Sequence, residues 1–230
     1  MYHTVMLEWI VSSKMNKTII FDLDGTLLDT LEDIAISANF ALTTLGFSAE
    51  ETQKYRYFVG KGIFKLFENI FAPNPQSEQT IQKAILLFEA HYAKQFSQNT
   101  KLYEGVSKML SFLQKRGYAM AILSNKPDSF TKMCVFKYLR KWKFEVVYGQ
   151  RVGVPAKPHP QGAQDIVESL HVNPAECFFL GDTSTDMITA NSAGMIAIGA
   201  LWGFRDEAEL LENGAKYIAK TPSDVIKLLS

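Results

Sequence analysis

Apolar residues recur along the chain in two rhythms that alternate with each other. Short runs rich in β-branched and aromatic residues occur at 18–21 (TIIF), 118–123 (YAMAIL), 144–149 (FEVVYG), 177–182 (CFFLGD) and 195–200 (MIAIGA). Runs of this length, with little polar alternation, suit strands buried on both faces of a parallel sheet. Between them lie amphipathic stretches with helical spacing, such as 106–116, closed by Gly117, and 161–170. Strands alternating with helices of this length imply βαβ units, hence an α/β, Rossmann-like parallel sheet with helices on both faces.

One region breaks the alternation. From 31 to 99 no comparable strand run occurs, and helical patterns span 34–45, 49–58, 63–71 and 77–96, with Pro73 and Pro75 separating the last two. The simplest organisation is an α/β core formed by 15–30 and 100–230, interrupted after its first strand by a helical domain at 31–99. A length of 230 residues, against about 150 per domain, fits one core with a smaller insertion. Met15 restarts the chain just before the first strand, so residues 1–14 read as an N-terminal extension that is expected to be disordered. The apolar stretch at 5–11 carries Glu8 and has no Lys or Arg before it, so it reads as neither signal nor anchor.

Composition narrows the partners. Lys+Arg and Asp+Glu both number 24, giving zero formal charge, and no long basic run interrupts the chain. Nucleic acid and anionic lipid surfaces both need clustered cations, so neither is an expected partner. No apolar run approaches the roughly 20 residues that span a bilayer. Cys134 and Cys177 have neither zinc-site spacing nor the density of a disulfide framework, which suits a reducing, cytoplasmic setting. A monomer or homodimer is expected.

In open α/β sheets ligands bind at the carboxyl ends of the strands, so polar residues just beyond each apolar run form a natural set. They are Asp22 and Asp24, Ser124 and Asn125, and Asp182, with Lys157 in the loop before the helix near Pro160. Clustered carboxylates repel unless a cation or proton offsets them, and hard oxygen ligands suit Mg²⁺. A metal held by acids beside a phosphate-binding lysine makes a phosphoryl-transfer site. One carboxylate can also act as nucleophile and form an aspartyl-phosphate. Each residue taken singly has a plainer explanation. Asp22, Asp24, Gly25 and Thr26 suit a turn, Ser124 and Asn125 a helix cap before Pro127, Lys157 a solvated surface, and Asp182 and Asp186 an acidic first helical turn.

Four segments in order change that balance. FDLDGTLLDT at 21–30, LSNKP at 123–127, AKPHP at 156–160 and GDTSTDM at 181–187 resemble the four motifs of the haloacid dehalogenase-like phosphatases. The likeness covers the chain from 15 onward. Within that family SNKP, KPHP, Ala193–Gly194 and the WGF at 202–204 are most similar to the phosphoglycolate phosphatase branch. The resemblance implies that Asp22 attacks phosphorus and that Asp24 protonates the leaving oxygen and later deprotonates water. It also implies phosphoryl binding by Ser124, Asn125 and Lys157, and Mg²⁺ binding by Asp22, Asp182 and the Asp24 carbonyl, with Gly25, Thr26 and Asp186 in support. The helical insertion corresponds to the family's cap domain, which implies a small phosphorylated metabolite as substrate. YRYFVGKG at 55–62 resembles the cap segment facing the site, making Arg56, Gly60, Lys61 and Gly62 candidates for binding the non-phosphate end. Arg56 and Lys61 have the plainer reading of solvent-facing charges. A sugar phosphomutase or another metabolite phosphatase of the same superfamily is the alternative enzyme, the mutase weakened because the first motif continues as DGTLLDT where that branch typically has DGV. A non-catalytic binding protein is a third reading, disfavoured because no catalytic position is lost.

Overall fold

The computed structural model describes residues 17–230, so the expectation for 1–14 lies outside the described residues. The core begins with β1 (Thr18–Phe21) and a short β2 (Leu28–Asp29). Helices α1 (Leu31–Thr44), α2 (Tyr55–Phe58), α3 (Ile63–Phe71) and α4 (Glu78–Gln95) follow, and β3 (Lys101–Leu102) brings the chain back. The remaining elements are α5 (Val106–Lys115), β4 (Ala119–Pro127), α6 (Asp128–Cys134), β5 (Val146–Gln150), α7 (Gln161–Leu170), β6 (Cys177–Gly181), α8 (Ser184–Ser192), β7 (Ile196–Ala200), α9 (Glu207–Glu212), β8 (Tyr217–Ala219) and α10 (Pro222–Leu228).

Six strands form one parallel sheet in the order β5-β4-β1-β6-β7-β8, which is the expected α/β class. Its strands are apolar on both faces because both are covered. Ile19 and Phe21 pack with Met109, Leu113 and Val225 from α5 and α10. Ile20, between them, packs on the opposite face with Ile166 of α7 and Met187 and Ala190 of α8. Successive strand side chains point to opposite faces, so the run TIIF needs two apolar layers, each fully buried side chain contributing roughly 1.5–3 kcal/mol. Being central, β1 ends between its neighbours β4 and β6, and the residues after these three strands meet at one edge. β4 is longer than the apolar pattern indicated, and its pairing with β5 shifts register between Leu123 and Pro127. Such an irregularity re-aims side chains, here across Ser124, Asn125 and Lys126.

The inserted helices build an apolar cluster, including Ala38, Leu42, Tyr55, Phe67, Ile81 and Phe88, that also takes in Phe130 of α6 and Phe204 from the core. Where the chain leaves and re-enters the core, β2 and β3 pair antiparallel. The buried Asp33 carboxylate accepts from the Asn99 backbone N–H at 3.0 Å and its side-chain amide at 2.9 Å, and from the Thr100 N–H at 2.9 Å and hydroxyl at 2.7 Å. This ties the two crossing segments together. The helix expected over 49–58 is a 3₁₀ turn at Thr52–Lys54 followed by the one-turn α2. The cause lies outside the segment: Asn39 of α1 donates to the Glu50 carbonyl and accepts from the Glu50 N–H, both at 2.8 Å, holding that backbone outside a helix. No helix among the described residues is long and apolar enough to cross a membrane.

Candidate active site

Asp22 follows β1, and its backbone N–H still bonds the Leu180 carbonyl at 2.9 Å, which fixes it beside β6. Asp182 follows β6 and is fully buried. Its Oδ1 accepts from the Thr26 hydroxyl at 2.7 Å and its Oδ2 from the Phe204 N–H at 2.9 Å. Two glycines allow this close packing: a Cβ on Gly25 or Gly203 would lie 2.3 Å from Asp182. Gly25 also has φ +87°, a conformation other residues rarely adopt. Asp186 sits in the first turn of α8, where it and Thr183 form a reciprocal capping box.

Lys157 lies among these acids. Its Nζ is 2.6 Å from Asp186 Oδ1 and 3.0 Å from Asp22 Oδ1, with all three groups buried. Asn125 holds the lysine backbone, accepting from its N–H at 2.8 Å and donating to its carbonyl at 2.9 Å. The same amide reaches the Gly60 carbonyl of the helical insertion at 3.0 Å. Ser124 accepts from the Lys126 N–H at 3.3 Å.

Asp22, Asp182 and Asp186 each offer an oxygen within 4.8 Å of the others. Only one ammonium offsets three buried carboxylates. Burial pushes the Asp22 carboxyl well up, and although Lys157 opposes this, Asp186 and Asp182 add to it. Burial and then Asp186 push Asp182 up to about 7, against its bonds to Thr26 and Phe204. Lys157 stays charged: burial disfavours its cation, but Asp186 and Asp22 outweigh that. Surplus buried negative charge on hard oxygen donors is the chemistry that accepts a small divalent cation, so this donor set fits a metal.

Asp24 lies outside that cluster. Its carboxylate accepts from the Thr30 hydroxyl at 2.8 Å, and both of its oxygens contact Lys126 Nζ, at 3.0 and 3.1 Å. The ammonium also lies 4.6 Å from the centre of the Tyr92 ring. Burial works against the Lys126 charge, yet Asp24 holds its pKa above the usual lysine value.

A cavity lies between the core and the inserted helices. Asp22, Asp24, Ser124, Asn125, Lys126 and Pro127 line one wall, and Ile34, Val59, Ile63, Leu66, Phe88 and Tyr92 the other. Of the candidates read from the 55–62 segment, Gly60 and Gly62 line the cavity, whereas Arg56 and Lys61 do not. Arg56 Nη2 instead donates to the Gly203 carbonyl at 2.6 Å. In return, the Arg205 guanidinium donates to the carbonyls of Arg56 and of Val59, the latter at 3.2 Å. The residue that sequence reasoning passed over is Lys126. The signal for it was present, since a lysine directly follows Ser124 and Asn125 at the end of a strand, but its partner Asp24 is remote in the chain.

Comparison with known proteins places these features in context. The family model for haloacid dehalogenase-like hydrolases matches residues 19–200. A phosphoglycolate phosphatase of Xylella fastidiosa (strain Temecula1) is 31% identical over 206 residues, covering 88% of each chain. One from Vibrio parahaemolyticus is 28% identical over 219 residues, 93% of this chain and 96% of its own. A crystal structure from Lactobacillus delbrueckii subsp. bulgaricus, provisionally named a phosphoglycolate phosphatase, shares the fold with a TM-score of 0.88 at 24% identity, covering 94% of this chain and 99% of that one.

Proposed function

Because the chain belongs to the haloacid dehalogenase-like hydrolases, we propose that it is a Mg²⁺-dependent phosphatase of a small phosphorylated metabolite, with phosphoglycolate its substrate. One observation carries the reading. Asp22 belongs both to the acid cluster that fits a metal and to the lining of the cavity, so it is where a phosphoryl group and a cation would meet. The names of the relatives from Xylella and Vibrio support the choice of ester.

In this reaction Asp22 supplies the nucleophilic oxygen. Its bond to phosphorus forms as the ester oxygen leaves, and the leaving oxygen takes a proton from Asp24. Asp24 then removes a proton from water, whose oxygen attacks the aspartyl-phosphate. The Asp22–phosphorus bond breaks and inorganic phosphate departs. Ser124 and Asn125 orient the phosphoryl oxygens, and Lys157, 3.0 Å from Asp22, balances charge as it builds. Asp22 and Asp182, with the Asp24 carbonyl, would hold Mg²⁺, and Asp186 orients Lys157. Bound Mg²⁺ would offset the charge of the carboxylates and the phosphoryl oxygens. The apolar wall excludes water and large esters.

Phosphate release across a panel of phosphorylated metabolites, with and without Mg²⁺, tests this. Phosphoglycolate should be the preferred ester, and Asp22→Asn should lower kcat by about 10⁴-fold or more, as loss of a nucleophile does. Full activity in that variant would overturn the assignment.

A further inference from the structure

We propose that Lys126 selects the substrate by binding an anionic group a few bonds beyond the ester oxygen, either a carboxylate or a second phosphoryl group. The inference rests on the phosphatase reading of the same site and extends it to the part of the substrate that is not transferred.

Three observations support it. Among the described residues that line the cavity, Lys126 is the one cation. The wall opposite is largely apolar through Ile34, Val59, Ile63 and Leu66 and carries no charged side chain, so Lys126 is the charge on the lining that an anion can meet. The cations of the 55–62 segment are absent from the lining, with Arg56 bonded to the Gly203 carbonyl.

Geometry sets the length of the substrate. Asp24 must reach the ester oxygen, and Lys126 Nζ lies 3.0 Å from Asp24 Oδ1. Whatever follows the ester oxygen therefore lies beside the ammonium within a few bonds. Lysine has three N–H donors. Two short contacts go to the Asp24 oxygens and the third side of the ammonium faces Tyr92, so a ligand oxygen takes its N–H by displacing or sharing the weaker Tyr92 contact. The pair with Asp24 and the Tyr92 ring hold the ammonium in place before a ligand arrives, so little ordering is needed at binding. A neutral tail of the same size would gain nothing from this charge, whereas an anionic one gains a charge-assisted hydrogen bond to a buried ammonium.

The test separates this inference from the phosphatase reading by measuring binding without turnover. With Mg²⁺ present, the Asp22→Asn protein is titrated calorimetrically with phosphoglycolate, pyrophosphate and ethyl phosphate, alone and combined with Lys126→Gln, Lys126→Met or Lys126→Arg. The glutamine amide still donates to Asp24, so this variant removes charge while keeping the local bond. At least one anionic ligand should bind about 10- to 100-fold tighter than ethyl phosphate, the size of one charge-assisted hydrogen bond. That preference should vanish with Gln or Met and persist in part with Arg. Whether phosphoglycolate or pyrophosphate shows the larger preference identifies the carboxylate or the phosphoryl group. No preference in the parent, a preference unchanged by Gln, or an equal loss for all three ligands would overturn the inference. An equal loss would make Lys126 only a partner that positions Asp24. If the wild-type enzyme releases phosphate from no ester, the phosphatase reading falls, while the titrations still decide the role of Lys126.

Discussion

The core wall of the cavity carries Asp22, Asp24, Ser124, Asn125 and Lys126, whereas the helical wall carries Ile34, Val59, Ile63, Leu66 and Phe88. Every charged group on the first wall is fixed by at least one bond to another buried polar group, from Lys157 on Asp22 to Thr30 on Asp24. The second wall offers mostly apolar area, continuous with the helices' own core. Preorganised charge belongs on a rigid sheet edge, because reorientation during reaction would cost part of its effect. Excluding water needs only apolar area that can cover the site. On the proposed reading the core would perform the chemistry and supply the recognition charge, and the helices would set the size of the site.

The largest test removes charge from behind the core wall, where Lys157 backs Asp22 without itself lining the cavity. Lys157→Met leaves Asp22 and Asp186 buried without their shared cation. kcat/KM for phosphate release should fall by about 10³-fold, comparable with loss of a preorganised electrostatic donor. Urea unfolding of the metal-free variant should show a loss of about 3–5 kcal/mol, typical of breaking a buried ion pair. A variant with near wild-type stability would mean that the buried Lys157 ion pairs contribute little to the fold.

Next comes the pH dependence of the acids behind that wall. Asp182 is pushed up to about 7 from an ordinary value of 3.8. The folded state therefore keeps the proton where the unfolded chain has released it. Stability from this group is fully present below about pH 4, declines as pH rises, and is lost once pH passes about 7. Asp22 is shifted in the same direction. Metal-free protein should lose a few kcal/mol of stability across that window, at about 1.4 kcal/mol per pKa unit. On the proposed reading Mg²⁺ would bind the ionised acids, so its thermal stabilisation should be larger at pH 8 than at pH 5. Asp182→Asn should flatten both trends in a calorimetric scan; unchanged trends would place the excess charge elsewhere.

Much of the core side of the site, the cavity wall and the acid cluster behind it, was legible because its residues directly follow apolar runs. A buried strand announces itself over four or five positions, and the turn after it must sit at the sheet edge. Asp22, Ser124 and Asp182 were found this way. Lys126 was not assigned a role because its meaning depends on Asp24, which local pattern cannot pair with it. The two-residue strands β2 and β3 carry too few positions for a periodicity, and α2 was shortened by the remote clasp of Asn39 on Glu50. On the helical wall a helix pattern reports which face is apolar but not whether that face meets its own bundle or a cavity. Arg56 and Lys61 could therefore be placed near the site from sequence but not oriented.

A smaller effect is expected where the two regions join. Asp33→Ala removes the acceptor for four hydrogen bonds from Asn99 and Thr100 and should destabilise the protein by about 2–3 kcal/mol in urea melts, within the range for loss of a buried polar network. Asp33 lies apart from the cavity lining, so kcat should change far less than in Lys157→Met. A large loss of kcat with unchanged stability would instead make the crossing segments part of the catalytic machinery.

The smallest expected effect bears most directly on the contrast between the walls. Lys61→Ala should change kcat/KM for phosphoglycolate by less than about threefold, as surface substitutions away from a site do. Arg56→Ala should have more influence, because its guanidinium bonds the Gly203 carbonyl and Gly203 packs directly against Asp182. That route runs through the acid cluster and not through the substrate's tail. Phosphoglycolate and ethyl phosphate should therefore lose efficiency by the same factor in Arg56→Ala. A loss confined to phosphoglycolate would show that a cation from the helical region reads the carboxylate during turnover, and the division between a charged core wall and an apolar helical wall would fail at that residue.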